Sequence, residues 1–150
     1  MLGGGEHSFL DLLSHLPSRW ENLVIVPHEG DLSRKLRVKE IPTLVRPLPS
    51  MKPWYVLRVL NALRIYAKVC KRYQPDLIYA NGSRAAFYGG IIGRLMDLPV
   101  IWHCRTADAD PFLDCLLTRL SDRIIANSQA TAKRFGIGLR NKVEVVYNGL

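Results

Sequence analysis

Short apolar runs rich in Val and Ile recur along the chain at residues 23–26, 41–45, 77–80, 100–103, 124–127 and 143–147. Between them lie longer stretches at 8–16, 53–73, 83–96, 111–120 and 129–135 with helical spacing, each opened or closed by Pro, Ser, Asp, Asn or Gly. Each apolar run is short enough for a buried strand. Their alternation with helices predicts an α/β fold, a Rossmann-like doubly wound domain with a mostly parallel sheet and helices on both faces. The expected core is Leu23, Val24, Ile25, Leu77, Ile78, Val100, Ile101, Ile124, Ile125 and Val145.

The order begins with a helix, whereas a doubly wound domain begins with a strand that usually runs through the middle of the sheet. Met1 and Leu2 cannot supply that strand, so it is expected upstream of Met1 or absent. At the other end, Asn148-Gly149-Leu150 reads as a turn signal where a linker begins. Residues 42–53, with four prolines, read as an irregular surface connection. Asn81-Gly82-Ser83 places Ser83 at an expected helix N-cap, and Asn127-Ser128 does the same before the next helix. These loops leave the carboxyl ends of strands, the edge where open α/β sheets bind ligands.

A chain of 150 residues with 48% hydrophobic and 23% charged residues fits one globular domain, here 1–150. No stretch reaches the roughly 18 apolar residues of a membrane span, and no signal peptide is evident, so the expected location is cytoplasmic. Cys70, Cys104 and Cys115 are odd in number and lack C-x-x-C spacing, and they read as reduced packing residues. The net charge of +8 favours a polyanionic partner: a phospholipid surface, a diphosphate or a nucleic acid.

Three features could carry chemistry. Gly3-Gly4-Gly5-Glu6 precedes a helix, where free backbone N–H groups can meet a phosphate, although it matches neither the dinucleotide fingerprint nor the P-loop. The helix at 53–73 sets Arg58, Asn61, Lys68 and Lys71 near one face and Leu57, Leu60, Leu63 and Ala67 on another. Such a helix can rest on anionic lipid or form the outer layer of a domain. Ile101-Trp102-His103-Cys104-Arg105-Thr106 ends a strand with a histidine and an arginine, followed by Asp108 and Asp110. The arginine could hold a phosphate and the histidine or an aspartate could act as a base, while His103 could equally point into the core. The scattered His7, His15, His28 and His103 give neither a Ser-His-Asp set nor a metal cluster, and no nucleic-acid module accompanies the charge.

Taken in order, several segments resemble the N-terminal domain of the family 4 (group 1) glycosyltransferases, which have two facing Rossmann-like domains, the GT-B fold. They are the Gly4-Gly5-Glu6-His7 turn, Pro27-His28-Glu29-Gly30, Gln74-Pro75-Asp76-Leu77-Ile78-Tyr79-Ala80-Asn81, Leu98-Pro99-Val100-Ile101-Trp102-His103, Asp122-Arg123-Ile124-Ile125-Ala126-Asn127-Ser128-Gln129-Ala130, and Val145-Val146-Tyr147-Asn148-Gly149. The resemblance implies an acceptor-side domain whose partner domain binds most of the nucleotide sugar and carries an E-x7-E motif. The implied reaction moves a sugar from a nucleotide-diphosphate sugar to a hydroxyl acceptor, with retention and without an obligatory metal or other cofactor. Lipid-linked saccharides are among the family's acceptors, in polysaccharide or cell-envelope glycan synthesis. His103 and Arg105 become the candidate catalytic residues, with Arg105 where many relatives have a histidine. Gly4, Gly5, Glu6, Asn81, Ser83 and Ser128 become candidate substrate contacts. A peripheral position on the inner face of the cell membrane, at an anionic surface, is expected, and no nucleic acid is. These 150 residues alone are expected to be inactive for want of the second domain. The competing expectation is a stand-alone or degenerate module binding a lipid diphosphate or a partner protein.

Overall fold

The computed structural model describes residues 3–139 and 141–147; Met1, Leu2 and the turn signal Asn148-Gly149-Leu150 lie outside the described residues. The chain forms two compact units, one reaching to Leu48 and one beginning at Pro49. All described strand pairs are parallel, in a β1-β2 sheet and a β3-β4-β5-β6 sheet. The parallel α/β class read from the sequence therefore holds, as two sheets with no ladder joining them among the described residues.

The first unit runs through α1 (Gly4–His15), β1 (Val24–Val26), α2 (Asp31–Val38) and β2 (Thr43–Val45). Leu10, Val24, Val26 and Leu36 form its core, with Phe9, Leu13, Leu32, Ile41 and Val45 packed around them. The sequence reading has no helix between β1 and β2. Parallel strands cannot be joined by a hairpin, and α2 is the crossover they need. Leu32 and Leu36 supply its inward face. At its start Ser33 Oγ accepts from Gly30 N at 2.9 Å and donates to Glu29 Oε2 at 2.8 Å, and Glu29 also pairs with Arg37.

The second unit continues with a 3-10 turn (Pro53–Tyr55), α3 (Val56–Tyr73), β3 (Ile78–Asn81), α4 (Ser83–Met96), β4 (Val100–Cys104), α5 (Pro111–Leu120), β5 (Arg123–Ala126), α6 (Gln129–Ala132), a second 3-10 turn (Ile137–Leu139) and β6 (Val143–Val145). Successive strands are neighbours, so each crossover steps the same way. Ala80, Trp102, Cys104 and Ile124 of the sheet pack with Ala86 of α4, Leu117 of α5 and Phe135 beyond α6. The expected cover on both faces is thus met on one by these helices. Ile101 and Ile125, expected in the core, alternate with Trp102 and Ile124 onto the opposite face and are only half-buried. Of the expected core, Val24, Val100 and Ile124 are fully buried.

The basic helix also differs from expectation. Ala62 and Tyr66 are its buried positions, while Leu57 and Leu60 are 78% and 46% exposed. At 3.6 residues per turn they share the outer side with Asn61, Arg64, Lys68 and Lys71. Trp54 stands beside them at 71% exposure. Among the cysteines, Cys104 is buried and Cys70 half-buried, but Cys115 is exposed on α5 and is not a packing residue.

Candidate functional site

Register decides what meets at the carboxyl edge of the second sheet. Asn81 of β3 lies opposite His103 of β4, and His103 lies opposite Ile125 of β5. Side chains alternate faces along a strand, so Tyr79 and Asn81 join His103 on the face away from the α4–α5 core, and Arg105 follows one step on. Tyr79 Oη bonds His103 Nδ1 with the two rings edge to face, centroids 5.9 Å apart. Arg105 Nε donates to Asn81 Oδ1, and its guanidinium also bonds the Tyr79 hydroxyl. Asn127 Nδ2 donates to the Arg105 carbonyl at 3.2 Å, and Asn127 Oδ1 accepts from Thr131 Oγ1 at 2.7 Å.

The backbone of the edge is fixed by turns. Gly82, at φ 95°, donates its N–H to the His103 carbonyl at 3.0 Å, while its own carbonyl accepts from Ala86 N at 3.0 Å. Only glycine takes this conformation without strain, and it makes Gly82 the cap of α4. Ser83, expected as that cap, is instead the first helical residue. Ser128 is a cap as expected: its Oγ accepts from Thr131 N at 3.1 Å.

Behind the edge, Arg134 holds the loop after β4. It pairs with Asp114 through both nitrogens of its fork and donates through Nη1 to the Thr106 carbonyl at 2.7 Å and to Cys104 Sγ at 3.2 Å. Burial works against the Arg134 charge, but the bond to the Asp114 carboxylate and the charges of Cys104, Asp114 and Asp108 together outweigh it and raise the pKa. Burial pushes the Cys104 thiol up, which argues against a reactive thiolate there.

Burial, assisted by the Arg105 charge, lowers the His103 pKa to about 4, so the imidazole is neutral at physiological pH. Burial likewise raises Tyr79 and lowers Arg105. The edge therefore offers one half-buried cation, a neutral imidazole and two amide side chains. That set can hold an oxygen-rich or anionic ligand.

Of the residues expected to bind or react, Asn81, His103 and Arg105 form one bonded cluster, and Ser83 and Ser128 open the helices that flank it. Gly4, Gly5 and Glu6 belong to the first unit. They are the first turn of α1 itself and not a loop before it: Glu6 Oε2 accepts from Gly3 N at 2.9 Å. The N–H groups of Gly4 and Gly5 remain those of a helix start, with no intrahelical acceptor. Glu21 and Glu29, eight positions apart, flank β1, and Glu29 is engaged by Arg37 and Ser33. Sequence reasoning missed Tyr79. Its signal was the two-residue alternation with Asn81, which points it to the same face, but its partner depends on register. A cavity of about 500 Å³ beside α5, lined by Asp114, Arg119, Arg134, Phe135, Leu139 and Lys142, is a weaker candidate. Arg134 is already paired, and Lys142 Nζ donates to the Thr118 carbonyl at 2.6 Å. No group of three potential metal ligands occurs among the described residues.

Comparison with known proteins places this edge in context. The family model for Glycosyltransferase Family 4 matches residues 2–150. The chain is 29% identical over 90 residues to the UDP-N-acetylglucosamine–N-acetylmuramyl-(pentapeptide) pyrophosphoryl-undecaprenol N-acetylglucosamine transferase of Histophilus somni, covering 60% of this chain and 23% of that protein. It is 36% identical over 70 residues to the Xylella fastidiosa (strain Temecula1) protein of the same name, covering 47% and 19%. Among solved structures, Anabaena HepE in complex with UDP superposes with a TM-score of 0.75 at 25% identity, covering 99% of this chain and 41% of that one. Acinetobacter baumannii MurG gives a TM-score of 0.75 at 19% identity, covering 99% and 42%. The chain thus spans about two fifths of these solved structures and about a fifth of the curated relatives.

Proposed function

The chain belongs to Glycosyltransferase Family 4, and on that premise we propose that it forms the acceptor-side half of an enzyme transferring a sugar from a nucleotide-diphosphate sugar to a hydroxyl acceptor, a lipid-linked saccharide in cell-envelope or polysaccharide synthesis. The observation that carries this reading is the meeting of Asn81, His103 and Arg105 at the carboxyl edge of β3 and β4, between the starts of α4 and α6. Arg105 supplies a cation for a diphosphate oxygen, and His103 and Asn81 supply neutral polar contacts for hydroxyl groups. Ser83 and Ser128 extend the polar rim. Gly4, Gly5 and Glu6 offer the start of α1 to the donor diphosphate.

The transfer is read as retaining and metal-independent, with departing diphosphate charge met by fixed donors. A lipid-linked acceptor calls for a protein held at a membrane, and the exposed Trp54, Leu57 and Leu60 among Lys52, Arg58, Arg64 and Lys68 suit an anionic bilayer surface. No helix among the described residues is long and apolar enough to cross a membrane.

The test is to incubate the full-length gene product with radiolabelled nucleotide sugars and a membrane extract. Transfer of label into the lipid fraction, with matching release of nucleoside diphosphate, is the expected result. Absence of transfer from every donor sugar would remove the enzyme reading and leave a binding module for lipid diphosphates.

A further inference from the structure

His103 Nε2 is buried and has no hydrogen-bond partner among the described residues. The whole residue is only 6% exposed. A buried polar atom left unmet costs about 1–3 kcal/mol, so its persistence calls for an explanation.

Counting protons around the cluster supplies one. A guanidinium has donors only, so in the Arg105–Tyr79 bond the phenol oxygen must accept. The Tyr79 proton remains to be given, and the other short contact it can serve is His103 Nδ1. A neutral imidazole carries one proton, and with Nδ1 accepting it must sit on Nε2. Asn81 completes the order, because its Oδ1 accepts from Arg105 Nε and so fixes the guanidinium that bonds the Tyr79 hydroxyl.

Building on the transferase reading above, we propose that Tyr79, its proton direction set by Arg105, locks His103 in the Nε2–H tautomer, so that the site presents a neutral N–H donor to a ligand oxygen and not a base. The oxygen is a hydroxyl of the acceptor or donor sugar, or an oxygen of a diphosphate. His103 then takes no proton during transfer, and Tyr79 is a positioning residue. The low His103 pKa agrees, since an imidazole that stays neutral keeps the same proton order across the working pH range.

The test uses the full chain labelled with ¹⁵N-histidine and long-range proton–nitrogen correlation spectra. At pH 7 the expected pattern for His103 is a bare Nδ1 and a protonated Nε2, unchanged down to pH 5. In Tyr79→Phe the pattern should collapse towards exchange between both tautomers while circular dichroism stays native. Protonation at Nδ1 in the unmodified chain, or of both nitrogens at pH 7, overturns the proposal even if the variant fails to fold; so does a folded Tyr79→Phe with the original pattern. Titration with inorganic pyrophosphate and with methyl glucoside then separates the two oxygen sources by which one moves the Nε2 proton signal, and movement with neither overturns the donor role. A wrong tautomer beside sugar transfer by the full-length gene product sinks this inference alone, whereas the expected tautomer beside no transfer by that product sinks the transferase reading alone.

Discussion

Asp114 on α5 and Arg134 just beyond α6 form an ion pair whose side chains are 9% and 3% exposed. Removing one partner leaves the other charge buried and uncompensated, a loss of about 3–5 kcal/mol. Asp114→Ala should lower stability by that amount in urea titrations with an unchanged m-value; a loss under about 1 kcal/mol would contradict the burial of the pair. His103 gives a pH signature. Its folded pKa, about 4, lies below the unfolded value near 6.5, so the unfolded chain binds the extra proton between these limits. The stability it contributes is whole above pH 6.5 and falls away as pH drops towards 4. In His103→Gln that part of the slope should vanish from the stability–pH curve, and an identical slope in both proteins would refute the assignment. Little of this was legible beforehand. His103 and Arg105 stand out in the sequence by their chemistry, but Tyr79 and Asn81 lie more than twenty positions away, and only strand register brings them together.

Among the elements, α4 and α5 were legible to the residue because local signals agree: Gly82 and Ser83 open one, Asp110 caps the other ahead of Pro111, and Asp97 ends α4 in a left-handed turn. The second helix, α2, escaped because eight residues give too few turns for periodicity to show. The close fit of α4 on the sheet rests on small residues. A Cβ at Gly93 would stand 2.2 Å from Val100 Cγ2 and 2.8 Å from the Leu98 carbonyl oxygen. Overpacking of about 1–3 kcal/mol exceeds the gain of up to about 1 kcal/mol that alanine brings to a helix. Gly93→Ala should therefore lower Tm, and an equal or higher Tm would show that the contact is not tight. The outer side of α3 is tested separately. Losing two large apolar side chains, each worth about 1.5 kcal/mol or more when buried, should weaken binding of Trp54→Ala/Leu57→Ala to anionic vesicles at least tenfold in a sedimentation assay. Unchanged binding would mean that this surface does not enter the bilayer.

For the whole molecule, strand and helix alternation gave the parallel α/β class, and the ordered motifs gave the family. Neither could reveal that the strands form two sheets, because ladder pairing is a long-range property. The expected two-sided burial also overstated the core: Ile101 and Ile125 are apolar enough for it, yet they sit on the face that α4, α5 and α6 leave to Tyr79 and His103. That face ends in the polar edge on which the functional reading depends. The most direct test is to titrate the ¹⁵N-labelled chain with a short-chain polyprenyl diphosphate saccharide and map the amide shifts. Changes centred on Asn81–Ser83, His103–Thr106 and Asn127–Ser128 are the predicted result. Shifts centred on the cavity beside α5, or none at saturating ligand, would contradict it.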